Sequence, residues 1–239
     1  MYLFLNLSNE YKNKRGIFMK LFFDAVIKIV VGIILVGLLI FCPANTLNFW
    51  NGWLLMGLLF VPMFIVGIIM MIKSPDLLKK RLDIKEKQGE QKIVIALTGL
   101  MFIAGFIVAG LNFRYNWIQI PNIVVIISSV VFVLSYILYA EVLRENRYLS
   151  RTIKVEENQK VIDTGLYGIV RHPMYFATMF LFLSMPLILG FVISFVIFLV
   201  YPFIIAKRIT NEEEVLENEL EGYSEYKNKV KYRIIPFIW

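Results

Sequence analysis

Four runs of apolar residues, roughly 22 to 41, 52 to 72, 93 to 112 and 121 to 140, dominate the first half of the chain. Each approaches the ~20 residues that a helix needs to cross a hydrocarbon core of about 30 Å. The last three carry no charged residue, and the first holds only Asp24 and Lys28. With 59% hydrophobic residues and a mean hydropathy of +0.69, the chain lies outside the range of soluble domains. A fifth apolar stretch, 174 to 206, is too long for one crossing: as a single helix it would run about 50 Å at ~1.5 Å per residue. Pro186 and Gly190 lie in its middle with no charge nearby, which predicts a break and a pair of short helices that goes in and comes back. The expectation is an all-α integral membrane protein of about six transmembrane helices, the last two a short hairpin.

Charge placement orients these spans. With both termini on one side, that side receives Lys12, Lys14, Arg15 and Lys20, the loop from Lys73 to Lys92, the connector from Arg144 to Arg171, and the tail from Lys207. Only Arg114 falls in a connection on the other side, so the positive-inside tendency puts both termini in the cytosol. The net charge of +7 then reads as cytosolic loops lying against anionic lipid. Basic and aromatic residues do not interleave as they would for a nucleic-acid partner, so none is expected. Cys42 is the single cysteine; it excludes an internal disulfide, has no partners for a metal, and is expected to be packed. The opening segment MYLFLNLSNEYKNKRGIF has an apolar run too short to span and no small-residue cleavage site after it. Either Met19 is the initiator or the segment lies on the interface. Asp24 and Lys28, four residues apart, can pair near the cytosolic end of the first span.

Polar chemistry collects in three cytosolic pieces of what reads as a single domain: a four-span region, 1 to 140, and a region of connector, hairpin and C-terminal helix, 141 to 239. SPDLLKKRLDIKEKQGEQK (74 to 92) begins with the helix-start signal Ser74, Pro75, Asp76 and reads as a charged surface helix or loop. LSRTIKVEENQKVIDTGLYGIVRHP alternates in short runs and breaks at Gly165 and Gly168, which suits extended chain and turns. The third piece, RITNEEEVLENELEGYSEY, reads as one continuous acidic helix after the hairpin.

The only histidine stands between the second piece and the hairpin, in GLYGIVRHPMY. Pro173 is tolerated at the first position of a helix and pushes the residue before it out of helical geometry, so His172 should cap the helix that begins at Pro173. The first-turn amides, Arg171 and His172 together offer a place for an anion such as a carboxylate. On the acidic helix, Ile209, Leu216, Leu220 and Tyr223 fall on one stripe, flanked by Glu212 and Glu213, while Glu214 points away. A carboxylate turned inward needs a cationic partner or a strong donor. Because the hairpin returns to the face it left, Arg208, Glu212 and Glu213 should surface beside Arg171, His172 and Tyr175. The product is a cytosolic pocket, formed by connector and C-terminal helix, with an anion-binding corner and an acidic corner. An amino-acid headgroup suits it, as does S-adenosylmethionine, whose sulfonium aromatic faces such as Tyr167 and Tyr175 would stabilise. A phosphate-bearing lipid or another zwitterion would satisfy it equally.

At these residues the chain resembles the isoprenylcysteine carboxyl methyltransferase family, and more loosely the phospholipid methyltransferases. The shared pattern is Arg-His-Pro-x-Tyr and, across a helical hairpin, a Glu-Glu pair: here Arg171, His172, Pro173 and Tyr175, then Glu212 and Glu213. NQKVIDTGLY and GYSEYKNKVKYRIIPFI also look like family text, so the likeness is strong from about 140 to 239, and SPDLLKKR and the earlier spans are more weakly similar to prokaryotic members. The resemblance implies S-adenosylmethionine as cofactor, with Gln159, Lys160, Val161, Ile162 and Tyr167 along its nucleoside and methionine part. His172, Pro173 and Tyr175 would hold the methionine end and Glu213 the amino group. Arg208 would orient the acceptor's carboxylate, and Arg171 and Glu212 complete the catalytic set. Ser184 stands where family members often have a glycine partway down the first hairpin helix, and is small enough to keep the helices close. The implied reaction is methyl transfer to a lipophilic acceptor in a prokaryotic plasma membrane, giving a methyl ester. A phospholipid or amine N-methyltransferase, a steroid-reductase-like enzyme and a non-catalytic membrane protein remain the alternatives.

Overall fold

A computed structural model describes residues 2–83, 89–153 and 155–239, with side chains given for residues 16, 18–83, 89, 91–153 and 155–239. Among the described residues it is all-helical. In chain order the helices are α1 (Tyr2–Ala44), α2 (Trp50–Lys73), α3 (Pro75–Leu82), α4 (Gly89–Tyr115), α5 (Asn122–Glu145), α6 (Pro173–Ile188), α7 (Val192–Phe198), α8 (Tyr201–Glu219) and α9 (Tyr223–Lys229). A single 3₁₀ turn, Gly165–Gly168, interrupts the connector between α5 and α6.

Among the described residues, five stretches are long and apolar enough to cross a membrane: Phe18–Ala44, Trp50–Lys73, Gln91–Tyr115, Asn122–Glu145 and Val192–Glu219. Their outward faces carry exposed Ile72, Leu100, Ile126 and Leu134, the surface expected where lipid is the solvent. The sixth crossing is the shorter α6, which leaves from Pro173 and ends at Ile188. The return comes where Pro186 and Gly190 predict it. Gly190 turns the chain with φ +91°, and its carbonyl accepts from the Ile120 amide at 2.9 Å. Asn51 Nδ2, at the start of α2, donates to the Ile188 carbonyl at 2.8 Å. The tip of the hairpin is thus fixed to the α1–α2 and α4–α5 connections, at the end of the bundle opposite the charged loops.

A hydrophobic core including Ile40, Phe49, Leu55, Phe132, Ile188 and Phe198 joins α1, α2 and α4 to α8. α6 packs most extensively along α5. Ser184, 4% exposed, folds its hydroxyl back onto the Phe180 carbonyl at 2.7 Å, so its polarity does not disturb that packing. Lys28 Nζ pairs with Asp24 at 2.8 Å and reaches the Leu82 carbonyl at 2.7 Å, tying the first span to the end of α3.

Three expectations change. The backbone of the opening segment is helical and continuous with the first span, within one 43-residue helix. Cys42 is exposed rather than packed. The acidic helix is not continuous: α8 ends at Glu219, Leu220 is extended, and Gly222, with φ +81°, starts α9 in a new direction. Leu220, Tyr223 and Tyr226 nonetheless remain buried together with Val230, because the corner folds the stripe inward.

Candidate active site

His172 has φ −127° and ψ 62°, outside the helical region, and the helix starts on Pro173 as the X-Pro restriction requires. Backbone pairing secures this entrance: the Arg171 amide donates to the Tyr232 carbonyl at 2.9 Å and the His172 amide to the Arg233 carbonyl at 2.8 Å. The Arg171 guanidinium turns toward the same C-terminal segment, giving Nη1 to the carbonyls of Val230 at 2.7 Å and Lys231 at 2.8 Å.

The hairpin brings α8 back against this entrance. Arg171 Nε lies 2.7 Å from Glu213 Oε1, His172 Nε2 lies 3.1 Å from the same oxygen, and Arg233 Nε reaches Oε2 at 2.9 Å. Glu213 is 2% exposed, so a buried carboxylate has found the cationic partners that its inward direction demanded. The juxtaposition of His172 with Glu213 is the one the hairpin predicts. The use expected for Glu213 differs from what the geometry provides, because three donors surround it and no surface is left for the amino group of a ligand. The anion at the α6 N-terminus is the protein's own.

In front of this clamp is a cleft of about 820 Å³ of non-atom space, its open mouth included. Gln159, Lys160, Val161, Ile162, Tyr167, Arg171, His172, Tyr175, Arg208 and Glu212 all line it. Pro173 and Glu213 do not: Pro173 shapes the helix start and Glu213 stands behind the wall. At the polar end Arg208 Nε donates to Tyr175 Oη at 2.8 Å, and Tyr175 Oη donates in turn to Glu212 Oε2. Arg208 is aimed by the Arg151 carbonyl, 2.7 Å from Nη2, and by Gln91 Oε1 on α4, 3.3 Å from Nη1. Glu212 is half-buried, whereas Glu214 is exposed. At the other end the lining is apolar and aromatic, with Val161, Leu216, Leu220, Tyr223 and Tyr226.

Sequence reasoning missed the groups that hold this cleft in shape. On α3, Lys80 Nζ pairs with Glu156 at 2.6 Å and Arg81 Nη1 donates to the Ser150 carbonyl at 3.1 Å, so a helix read as a charged surface feature braces the connector. Tyr226 Oη donates to the Tyr167 carbonyl at 2.8 Å. The Glu145 carboxylate accepts the Leu166 amide at 3.0 Å and fixes the 3₁₀ turn that presents Tyr167. Burial, above all, pushes the Tyr167 phenol up, keeping it a neutral donor. Nothing in the local pattern marks Lys80, Gln91 or Glu145, whose partners lie far along the chain.

Residues 124–218 match the model of the isoprenylcysteine carboxyl methyltransferase (ICMT) family. Over that stretch, about two fifths of its length, the chain is similar to the isoprenylcysteine carboxyl methyltransferase family. No curated protein matches the chain. The likeness, together with the candidate membrane-spanning helices, supports a membrane methyltransferase. The family stretch covers most of α5, the connector, the hairpin and nearly all of α8, and so contains the Arg171–His172–Glu213 clamp and the Arg208–Tyr175–Glu212 array. The first three spans, with Gln91 and the α3 brace, and the closing α9 lie outside it.

Proposed function

We propose that this methyltransferase draws its methyl group from S-adenosylmethionine and esterifies a carboxylate on a lipophilic acceptor. The observation that carries the reading is one cleft with two chemically opposite ends, set where the membrane helices emerge. The donor set fits the cofactor: a carboxylate, Glu212, and aromatic faces, Tyr167 and Tyr175, suit an ammonium and a sulfonium, while the apolar end suits a nucleoside. Gln159 to Ile162 and Tyr167 would lie along the cofactor, with His172 and Tyr175 toward its methionine end. When bound, S-adenosylmethionine supplies an electrophilic methyl group.

The rest of the work belongs to the chain. Arg208, steadied by Gln91 and the Arg151 carbonyl, offers guanidinium nitrogens at the polar end and would orient an acceptor carboxylate there. An ionised carboxylate needs no general base, so rate enhancement comes from positioning and from excluding water. Tyr175 relays Arg208 to Glu212, holding cation and carboxylate at fixed separation. Arg171 acts through the clamp, by fixing His172 and the helix entrance. A lipophilic acceptor would enter from the bilayer between the spans and the soluble cofactor from the cytosol, with both termini on that same side of a prokaryotic plasma membrane. In this reading 1 to 140 is the membrane scaffold and 141 to 239 the catalytic region of one domain.

Detergent-solubilised protein given methyl-labelled S-adenosylmethionine and a membrane lipid extract should transfer base-labile label to the extract. Base-stable label would move the reading to an amine or thiol acceptor. Absence of both label transfer and cofactor binding would overturn it.

A further inference from the structure

One residue lining the cleft carries a buried polar atom with no hydrogen-bond partner among the described residues. Tyr223 is 4% exposed and lines the apolar end, yet its hydroxyl has no hydrogen-bond partner. Three other buried side-chain atoms share this condition, Gln91 Nε2, Asn112 Oδ1 and Asn211 Nδ2, but none belongs to a residue lining the cleft. A buried hydroxyl without a partner costs about 1–3 kcal/mol, and a binding site is one place where that cost is offset when the ligand arrives. The surroundings of the hydroxyl define the ligand. Val161 and Leu216 pack against the cluster that holds Tyr223 and Tyr226, whose ring centroids are 5.7 Å apart, and all four line the cleft, an apolar and aromatic surface that suits a flat, weakly polar group. Burial, first, and then the carboxylates of Glu213 and Glu212 push the Tyr223 phenol up, so it stays protonated and able both to donate and to accept.

We propose that Tyr223 is the nucleobase-recognising residue of the cleft, its hydroxyl hydrogen-bonding the edge of an adenine-type base seated between Val161, Leu216 and Tyr226. The inference rests on the S-adenosylmethionine reading and deepens it, placing the nucleoside at the α9 corner and the amino acid at the Arg208–Tyr175–Glu212 end. Tyr223 lies outside the family-matched stretch.

The test uses full-length protein in detergent, with S-adenosylhomocysteine as a probe that does not turn over. Tyr223→Phe keeps the ring and removes only the orphaned hydroxyl. Its ligand-free melting temperature should rise, while its affinity for S-adenosylhomocysteine, measured calorimetrically, should fall about five- to tenfold, the worth of one hydrogen bond. A residue that only packs would show a lower melting temperature and unchanged affinity, and that outcome overturns the proposal. S-inosylhomocysteine, whose base differs at one edge, gives the second readout. The wild type should discriminate between the two probes, and Tyr223→Phe should bring the ratio toward one. An unchanged ratio would put the hydroxyl elsewhere than on the base and defeat the inference. Equal binding of S-adenosylhomocysteine by wild type and variant removes the role of Tyr223 alone, whereas no binding by the wild type removes the cofactor reading and this inference with it.

Discussion

Two adjacent glutamates on α8 occupy different surroundings because each successive side chain of a helix is turned by about 100°. Glu213 points into the Arg171–His172–Arg233 clamp, and Glu212 faces the cleft beside Tyr175. They should therefore fail differently. Glu213→Gln leaves Arg171, itself 6% exposed, without its counter-charge, and breaking a buried ion pair from one side costs about 3–5 kcal/mol. The melting temperature should drop by several degrees, with cofactor affinity lost only as the fold is lost. Glu212→Gln should melt like the wild type yet transfer methyl groups on the order of 10²-fold more slowly, as expected when one preorganised electrostatic contact is removed. If Glu213→Gln proved stable and selectively deficient in cofactor binding, the clamp reading would be wrong. The sequence showed that the two carboxylates turn inward, since the apolar stripe on α8 says so. Which of them met the protein and which met the cleft depended on Arg233, a residue from the tail that no periodicity connects to them.

Elements show the same division between local and distant information. The hairpin was legible because its break is written in one place: Pro186 weakens the helix and Gly190 supplies a left-handed turn. The break after Glu219 was not, because EGYSEY keeps the helical spacing of its apolar residues and only Gly222 departs from it. The connector was legible as irregular chain, but its shape is imposed from outside, by α3 and by Glu145. Lys80→Ala with Arg81→Ala should leave the spans intact, speed amide exchange across residues 147–162, and weaken cofactor binding by a few-fold; unchanged exchange there would mean that α3 does not brace the connector. Within the connector, Gly165 has φ +56°, and an added Cβ would lie 1.9 Å from Glu145 Oε1. Gly165→Ala should thus cost about 1–3 kcal/mol and raise protease sensitivity around the Tyr167 turn. Gly165→Ala combined with Glu145→Ala should recover part of the loss, since the clash is relieved while the φ strain stays.

At the scale of the molecule, the basic loops, the cleft and the mouth of the hairpin share one end of the bundle, and Cys42, the α1–α2 connection and the hairpin tip share the other. In the proposed reading this polarity would let one cleft receive a soluble cofactor while opening toward lipid. It was readable from charge and span length alone, because the cost of moving Lys and Arg across a bilayer acts on every loop at once and does not depend on partners far along the chain. Orientation follows from the same cost and can be measured directly. In a Cys42→Ser background, Asn48→Cys places an exposed thiol in the α1–α2 connection and Glu214→Cys places one on the outer face of α8, away from the clamp. In intact cells a membrane-impermeant maleimide should label Cys at position 48 and spare position 214, and permeabilisation should make position 214 reactive. The reverse pattern would put the cleft and its basic loops outside. A cleft on that side would be cut off from a cytosolic supply of S-adenosylmethionine, so this labelling experiment tests the cofactor assignment by topology, without any assay of methyl transfer.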